Sequence, residues 1–392
     1  MNAPPGLRSP VNSASKELRR QFAVALMIAA GTAIVMAQWL LSAWSSTQIG
    51  WDFPVFYIAG RLPIDLLYSP TAFASYWQQH LAPLGVPHWA PYVRPSIFSF
   101  LLRPLAALPY FQALWVWLAA GLGAYFIAIG LMIRRFQLPG LLLTAYAGFF
   151  PAMAGTLSGA DATFYLLALV VALILLERNR DVFAAIALIA CLCKFNLVLL
   201  IPILLLLHRR YVAFCSLAIG GISVAAASMY FTPVSEYFTA IIGAQRNTPG
   251  FYPVGLRGFS TAIGQPWSYP LLSVLAFIVC CWLMKHLAIT ESCCVAITGA
   301  LMISPYVCWY DSTLLALPLA VIFARSGLQM RIVCTAILVA LPLWQHGGGN
   351  NGPIGFMHVG IEIFILAYFA SIPQSGVTVA HPSTAAAAAV LA

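Results

Sequence analysis

Apolar residues in this chain fall into long blocks separated by short polar or basic groups, rather than into a sheet-like alternation or a narrow helical stripe. The first block runs from Gln21 to about Ala43, behind Lys16, Arg19 and Arg20. Others lie near 110–133, 138–154, 163–176, 182–193, 196–207, 211–231, 269–284, 292–308, 312–326, 332–345 and 355–372. Roughly 20 apolar residues suffice for a helix to cross a bilayer. The pattern therefore predicts an all-α polytopic membrane protein of about twelve transmembrane helices.

The stretch 182–207 reads best as a folded-back pair. A single crossing would put either Arg178 and Arg180 or Arg209 and Arg210 on the wrong side of the membrane. Two short helices with Lys194 at the tip keep both basic flanks on one side. Short helices at membrane depth need protein or a water-filled cavity around their ends. The pattern thus predicts a polar cavity entered from the external face.

The organisation follows from this threading. Residues 1–18 form a disordered cytoplasmic tail, 19–372 a single transmembrane domain, and 373–392 a low-complexity cytoplasmic tail. The apolar block after Arg20 is longer than a signal-peptide core and lacks a clear cleavage site, so it reads as an uncleaved span. Residues 44–109 form a first external loop, rich in Trp, Tyr, Pro and His, with interfacial helices such as Ile97 to Leu108. Residues 232–268 form a second large external loop. No repeat of 20–50 residues and no two-half symmetry is apparent.

Composition reinforces the membrane reading. The chain is 62% hydrophobic and 7% charged, against about 25% charged in ordinary soluble domains. Its net charge of +9 does not indicate nucleic-acid binding, because the basic residues are dispersed between apolar blocks. Thirteen of the 19 Lys and Arg fall on the cytoplasmic side in this threading. Arg61, Arg94, Arg103, Arg246 and Arg257 lie outside, and Lys194 stands alone at depth. The nine cysteines lie in or beside apolar runs with no zinc-type spacing, which points to packing rather than disulfides or metal.

Ionisable groups at the membrane edge are functional candidates. Asp52, Asp161, Lys194, Arg246, Arg257, Asp311 and His358 all fall on or near the external side, which suggests one shared site. Asp52 follows the first span among aromatics, in Trp51-Asp52-Phe53-Pro54. It suits either a helix cap or, partly desolvated, a general base; the base role is favoured. Lys194 calls for an anionic partner, and Arg246 and Arg257 present planar forks to phosphate oxygens. Asp311 suits pairing with one of these cations or orienting substrate hydroxyls. His358 and Glu362, four apart, are expected to form a hydrogen-bonded pair. The chain has no Walker loop, no G-x-G-x-x-G after a strand, no nucleophile elbow and no H-E-x-x-H motif. An activated group would therefore arrive on a lipid-borne donor, with no separate cofactor and no metal.

These motifs together resemble glycosyltransferase family 87, of the GT-C class of polyprenyl-phosphate-sugar-dependent enzymes, from about residue 50 to 325. The stretch Asp52 to Arg61, including Tyr57, followed by Tyr68-Ser69-Pro70, is similar to the family's first external loop. Arg94-Pro95-Ser96 stands where the family has Tyr-Pro-Pro, and Ser304-Pro305-Tyr306 with Tyr310-Asp311 resembles a late family motif. Gly159-Ala160-Asp161 replaces Gly-Gln-Asn, and Lys194-Phe195-Asn196 replaces Lys-Pro-Gln.

The resemblance implies a GT-C-like bundle that moves a hexose, mannose favoured, from a polyprenyl-phosphate donor to a lipid or glycan acceptor. Asp52 would be the base; Lys194, Arg246 and Arg257 would hold the donor phosphate. Tyr57, Arg61, Asp161, Asp311 and His358 would line the substrate site. The implied location is the bacterial inner membrane, among membrane lipids, with the site facing outward. The rival reading is a transporter or flippase of a lipid-linked sugar, which would need no base.

Overall fold

Prolines, glycines and basic pairs decide where the apolar blocks become helices. A computed structural model describes residues 49–86, 91–140, 142–247, 254–345 and 352–372, the side chains of 244–247, 339–345 and 352–356 excepted. The expected first span at 21–43 and both tails lie outside the described residues. Every regular element among the described residues is helical.

Among the described residues the first loop carries three α-helices, α1 (Phe53–Arg61), α2 (Pro70–Tyr76) and α3 (Ile97–Ala106), the last close to the expected interfacial segment. Their aromatic residues form a small core of their own around Phe53, Tyr57, Tyr68, Tyr92 and Tyr110. Tyr57 and Tyr110 meet edge to face at 5.2 Å, and Phe56 stacks near Trp117 at 5.0 Å. Such pairs add about 0.5–1.5 kcal/mol each beyond area burial. They fix the loop against α4 (Tyr110–Phe136).

At 1.5 Å per residue α4 is about 40 Å long, enough to cross a bilayer. It ends on Arg134 and Arg135, with Gln137 in the left-handed region at φ 53°. The expected single span at 138–154 is instead broken into α5 (Leu142–Ala147) and α6 (Phe150–Ser158). Phe149 is extended between them, and Pro151 sits in the first turn of α6, where its missing N–H costs nothing.

Next come α7 (Ala162–Glu177), α8 (Asp181–Ala190), a 3₁₀ segment Cys191–Val198, α9 (Ile201–Leu207) and α10 (Tyr211–Phe231). The 3₁₀ segment breaks at Lys194, whose φ/ψ of −133°/65° is not helical. The feet of this pair meet: Arg210 donates to Asn179 Oδ1 (2.6 Å), Asp181 Oδ1 (3.4 Å) and the Leu176 carbonyl (2.8 Å). The chain therefore folds back at Lys194, as the two basic flanks require. On α10 only Ala213 and Leu217 are buried. The rest of its apolar surface is exposed or half-buried, as on a helix at the lipid-facing edge of a bundle.

The last part comprises α11 (Val234–Asn247), α12 (Gly255–Ala262), α13 (Ser268–His286), α14 (Ile289–Ile303), a 3₁₀ turn Trp309–Leu315, α15 (Ala316–Arg325), α16 (Leu328–Gln345) and α17 (Gly352–Ala370). Every residue of α14 from Thr290 to Ile303 is buried, making it the centre of the bundle. The expected span at 292–308 stops short at Ile303, because Pro305 disfavours a helical Ser304. By length and composition four stretches could cross a membrane: Tyr110–Phe136, Asp181–Val198, Tyr211–Phe231 and Ser268–His286. The other apolar helices are shorter.

Charge divides the bundle into two ends. Arg135 binds Glu177, Thr290 donates to Glu177, and Arg325 pairs with Glu291, so the ends of α4, α7 and α15 meet the start of α14. The opposite end gathers the start of α7, the Lys194 tip and the loop 304–311.

Candidate active site

The carboxylate Asp52 is placed by the C-terminus of α6. Free carbonyls at a helix end need donors, and the Leu157 and Ser158 carbonyls accept from the N–H groups of Gly50 (2.7 Å) and Asp52 (2.6 Å). Gly159 closes α6 at φ +87°, and a Cβ there would lie 2.7 Å from Phe53 Cβ. Only a glycine lets the Asp52 segment come this close. Trp117 Nε1 donates to the Gly159 carbonyl at 2.8 Å and locks the turn to α4.

Asp52 stands at the start of α1, yet its side chain makes no capping hydrogen bond. The carboxylate is half-buried, and Ser158 Oγ lies 3.0 Å from its Oδ2. Burial raises its pKa to about 6. The Ser158 hydroxyl and the charges of Lys194 and Arg94 pull it down, while Asp161 pushes it up. Among the described residues it has no ion-pair partner.

The neighbouring carboxylates differ. Asp161, at the start of α7, receives Arg94 through Nε (3.2 Å) and Nη2 (2.8 and 3.1 Å), and Tyr165 donates to it at 2.5 Å. Asp311 receives Lys194 Nζ at 2.5 and 2.6 Å and the Cys308 N–H at 2.9 Å. Both pairs are almost wholly buried. A buried pair costs its desolvation, so breaking one leaves a stranded charge. Arg94 and Lys194 are thus each matched by their own anion, and among the described residues Asp52 is left unmatched.

The tip is tied to the late loop as well. Asn196 Nδ2 donates to Ser304 Oγ (2.9 Å) and the Tyr306 carbonyl (2.6 Å). Lys194 Nζ lies 5.1 Å from the centre of the Tyr310 ring. Tyr310 packs its Cβ where a side chain on Gly155 would sit, 2.7 Å away. Arg257, on α12, donates to the Pro305 carbonyl at 2.8 Å and has no acidic partner among the described residues.

The structure brings together Asp52, Asp161, Lys194 and Asp311, with Arg257 at the rim. Tyr57 and Arg61 sit at a different junction: both reach the Leu108 carbonyl, at 2.9 and 3.4 Å, and clasp α1 to the start of α4. Arg246 belongs to α11, but its side chain lies outside the described residues. His358 lies behind the site, its Nδ1 2.8 Å from Ser312 Oγ. The expected His358–Glu362 pair is not formed, and Glu362 Oε2 is buried with no partner among the described residues. Burial in the bundle, rather than their i,i+4 spacing, sets both partners' surroundings. Ser158 and Tyr165 were not singled out from the sequence, and Arg94 and Tyr310 were noted in motifs without a role in the site. Their contacts reach across 67 and 106 residues for Arg94–Asp161 and Ser158–Asp52, beyond any local pattern.

Beside the tip lies an apolar cavity of about 260 Å³, lined by Leu192, Phe195, Val224, Met229, Tyr68 and Phe238 among others.

An all-helical bundle with apolar crossing helices and a charged cluster at one end defines a helical membrane protein with a polar site. The sequence model of glycosyltransferase family 87 matches residues 92–323, and the chain belongs to that family. It is accordingly a membrane glycosyltransferase. The match includes Arg94, Ser158, Asp161, Lys194, Arg257 and Asp311; Asp52 precedes it and His358 follows it. No curated protein and no solved structure matches the chain significantly.

Proposed function

We propose that the protein transfers a hexose, mannose favoured, from a polyprenyl-phosphate donor to a lipid or glycan acceptor, with Asp52 as general base. The reading adopts a GT-C-type bundle of about twelve spans, with the site on the external face of a bacterial inner membrane. The observation that carries it is the unmatched state of Asp52. Beside two neutralised ion pairs stands one half-buried carboxyl with its pKa raised to about 6. A base works best when its pKa lies near the working pH.

In this mechanism Asp52 takes the proton of the acceptor hydroxyl as its oxygen attacks the anomeric carbon. The bond from that carbon to the phosphate oxygen breaks, inverting the centre, and polyprenyl phosphate leaves. Negative charge grows on the leaving phosphate, so a donor fork nearby lowers the barrier. Arg257 suits this role, having no anion of its own among the described residues; Arg246 on α11 is a second candidate. Lys194 is matched by Asp311, so its part is to hold the tip and the late loop and to tune the field at Asp52. The cavity flanked by Leu192 and Phe195 suits the prenyl chain next to the tip.

Purified protein in vesicles, given a polyprenyl-phosphate mannose and a lipid acceptor, is expected to yield a glycosylated product. Asp52→Asn should abolish it. Movement of the donor across the bilayer without any transfer would favour the flippase reading instead.

A further inference from the structure

We propose that Ser158 is a positioning residue for Asp52, holding the carboxylate oxygen Oδ2 so that the other oxygen faces the acceptor. This rests on Asp52 acting as the base. The contact is built from both directions: Asp52 N–H donates to the Ser158 carbonyl at 2.6 Å, and Ser158 Oγ lies 3.0 Å from Asp52 Oδ2. The turn behind it is fixed by Gly159 and Trp117.

The hydroxyl has two acceptors and one proton. Ser158 Oγ is also 2.8 Å from the Gly155 carbonyl, the usual back-bond of a serine in a helix. A charged carboxylate attracts the proton more strongly than a neutral carbonyl does. The hydroxyl therefore turns to Asp52 when the carboxylate is ionised and back to Gly155 when the carboxyl is protonated. It favours the ionised, base-competent form and fixes its orientation. The other groups acting on Asp52 are Lys194 on the tip, Arg94 on the first loop, and Asp161 on α7. Tyr306, Cys308 and Tyr310 on the late loop also face it. Among the described hydrogen bonds, Ser158 is the side chain that reaches the Asp52 carboxylate.

The test is the pH dependence of kcat/KM in the full-length protein, for wild type, Ser158→Ala, Ser158→Thr and, in parallel, Asp52→Asn. With Ser158→Ala the acid limb should move to higher pH, and kcat/KM at pH 6 should drop about tenfold, carried by kcat rather than KM. Ser158→Thr, which keeps the hydroxyl, should restore both. A Ser158→Ala profile that overlays the wild type overturns the proposal. So does a loss equal at every pH that threonine fails to restore, the mark of a merely structural serine. Should Ser158→Ala not fold, Ser158→Cys keeps the size and weakens the donor, and its acid limb must still move upward. If Asp52→Asn keeps the wild-type rate, it is the base assignment beneath this proposal that fails.

Discussion

Where Arg135 meets Glu177, nearly half of the arginine side chain (46%) stays exposed, whereas Lys194 and Asp311 pair with 1% and 0% exposed. The chemistry of the two contacts is alike and their surroundings are opposite. At the first end Arg134, Arg135, Arg178, Arg180, Arg209, Arg210, Lys285, Arg325 and Arg331 outnumber Glu177, Asp181 and Glu291. Excess positive charge there is solvated and suits orientation in a membrane. At the other end Arg94 and Lys194 are each cancelled by a buried aspartate. Burial raises the Asp52 pKa, and with Arg94 and Lys194 each held by an aspartate their downward pull does not undo it.

The sharpest way to break this contrast is to remove the unmatched group. Asp52→Asn is expected to lower the transfer rate by about 10²–10⁴-fold, the usual worth of a general base, with the helical fold intact by circular dichroism. The same variant should unfold at higher temperature than wild type at pH 8. The folded-state pKa of about 6 lies above the ordinary 3.8, so ionised Asp52 weakens the fold in full above about pH 6. That penalty fades between 6 and 3.8, and the advantage of asparagine should fade with it.

Breaking a matched pair comes next. Lys194→Met leaves Asp311 buried without its cation and should cost about 3–5 kcal/mol in detergent unfolding. Adding Asp311→Asn, which still accepts the Cys308 N–H, should recover most of it. Arg257→Ala is expected to lower kcat for transfer from the phosphate donor by about 10²-fold with a smaller change in KM. Arg135→Ala, at the exposed end, should cost less than about 1 kcal/mol and leave transfer unchanged.

Much of the frame was legible in the sequence, because apolar blocks and flanking basic pairs report directly on membrane crossing. The fold-back at Lys194 followed from charge alone, and Arg210 bridging to Asp181 bears it out. Breaks inside blocks were harder: the helix interruption at Phe149 and the early stop at Ile303 depend on single prolines. The site was legible as a set of charges and in the expected pairing of Lys194 and Asp311 with opposite charges, which meet each other, but the partner of Asp161 was not legible. Arg94 and Asp161 each depart from the pattern the chain resembles, and the structure shows that they bind each other. Neither position signals the other along the chain. Ser158 was invisible for a different reason, since a serine at a helix end is unremarkable until the loop bearing Asp52 is laid against it.

Asp52, unmatched by any cation among the described residues, is the proposed base. This role is tested most directly by the pH profile of kcat/KM for the wild-type protein. With Asp52 as the base, kcat/KM should plateau above about pH 6 and fall tenfold per unit below it. A profile that runs flat through pH 6 down to pH 4.5 would contradict it.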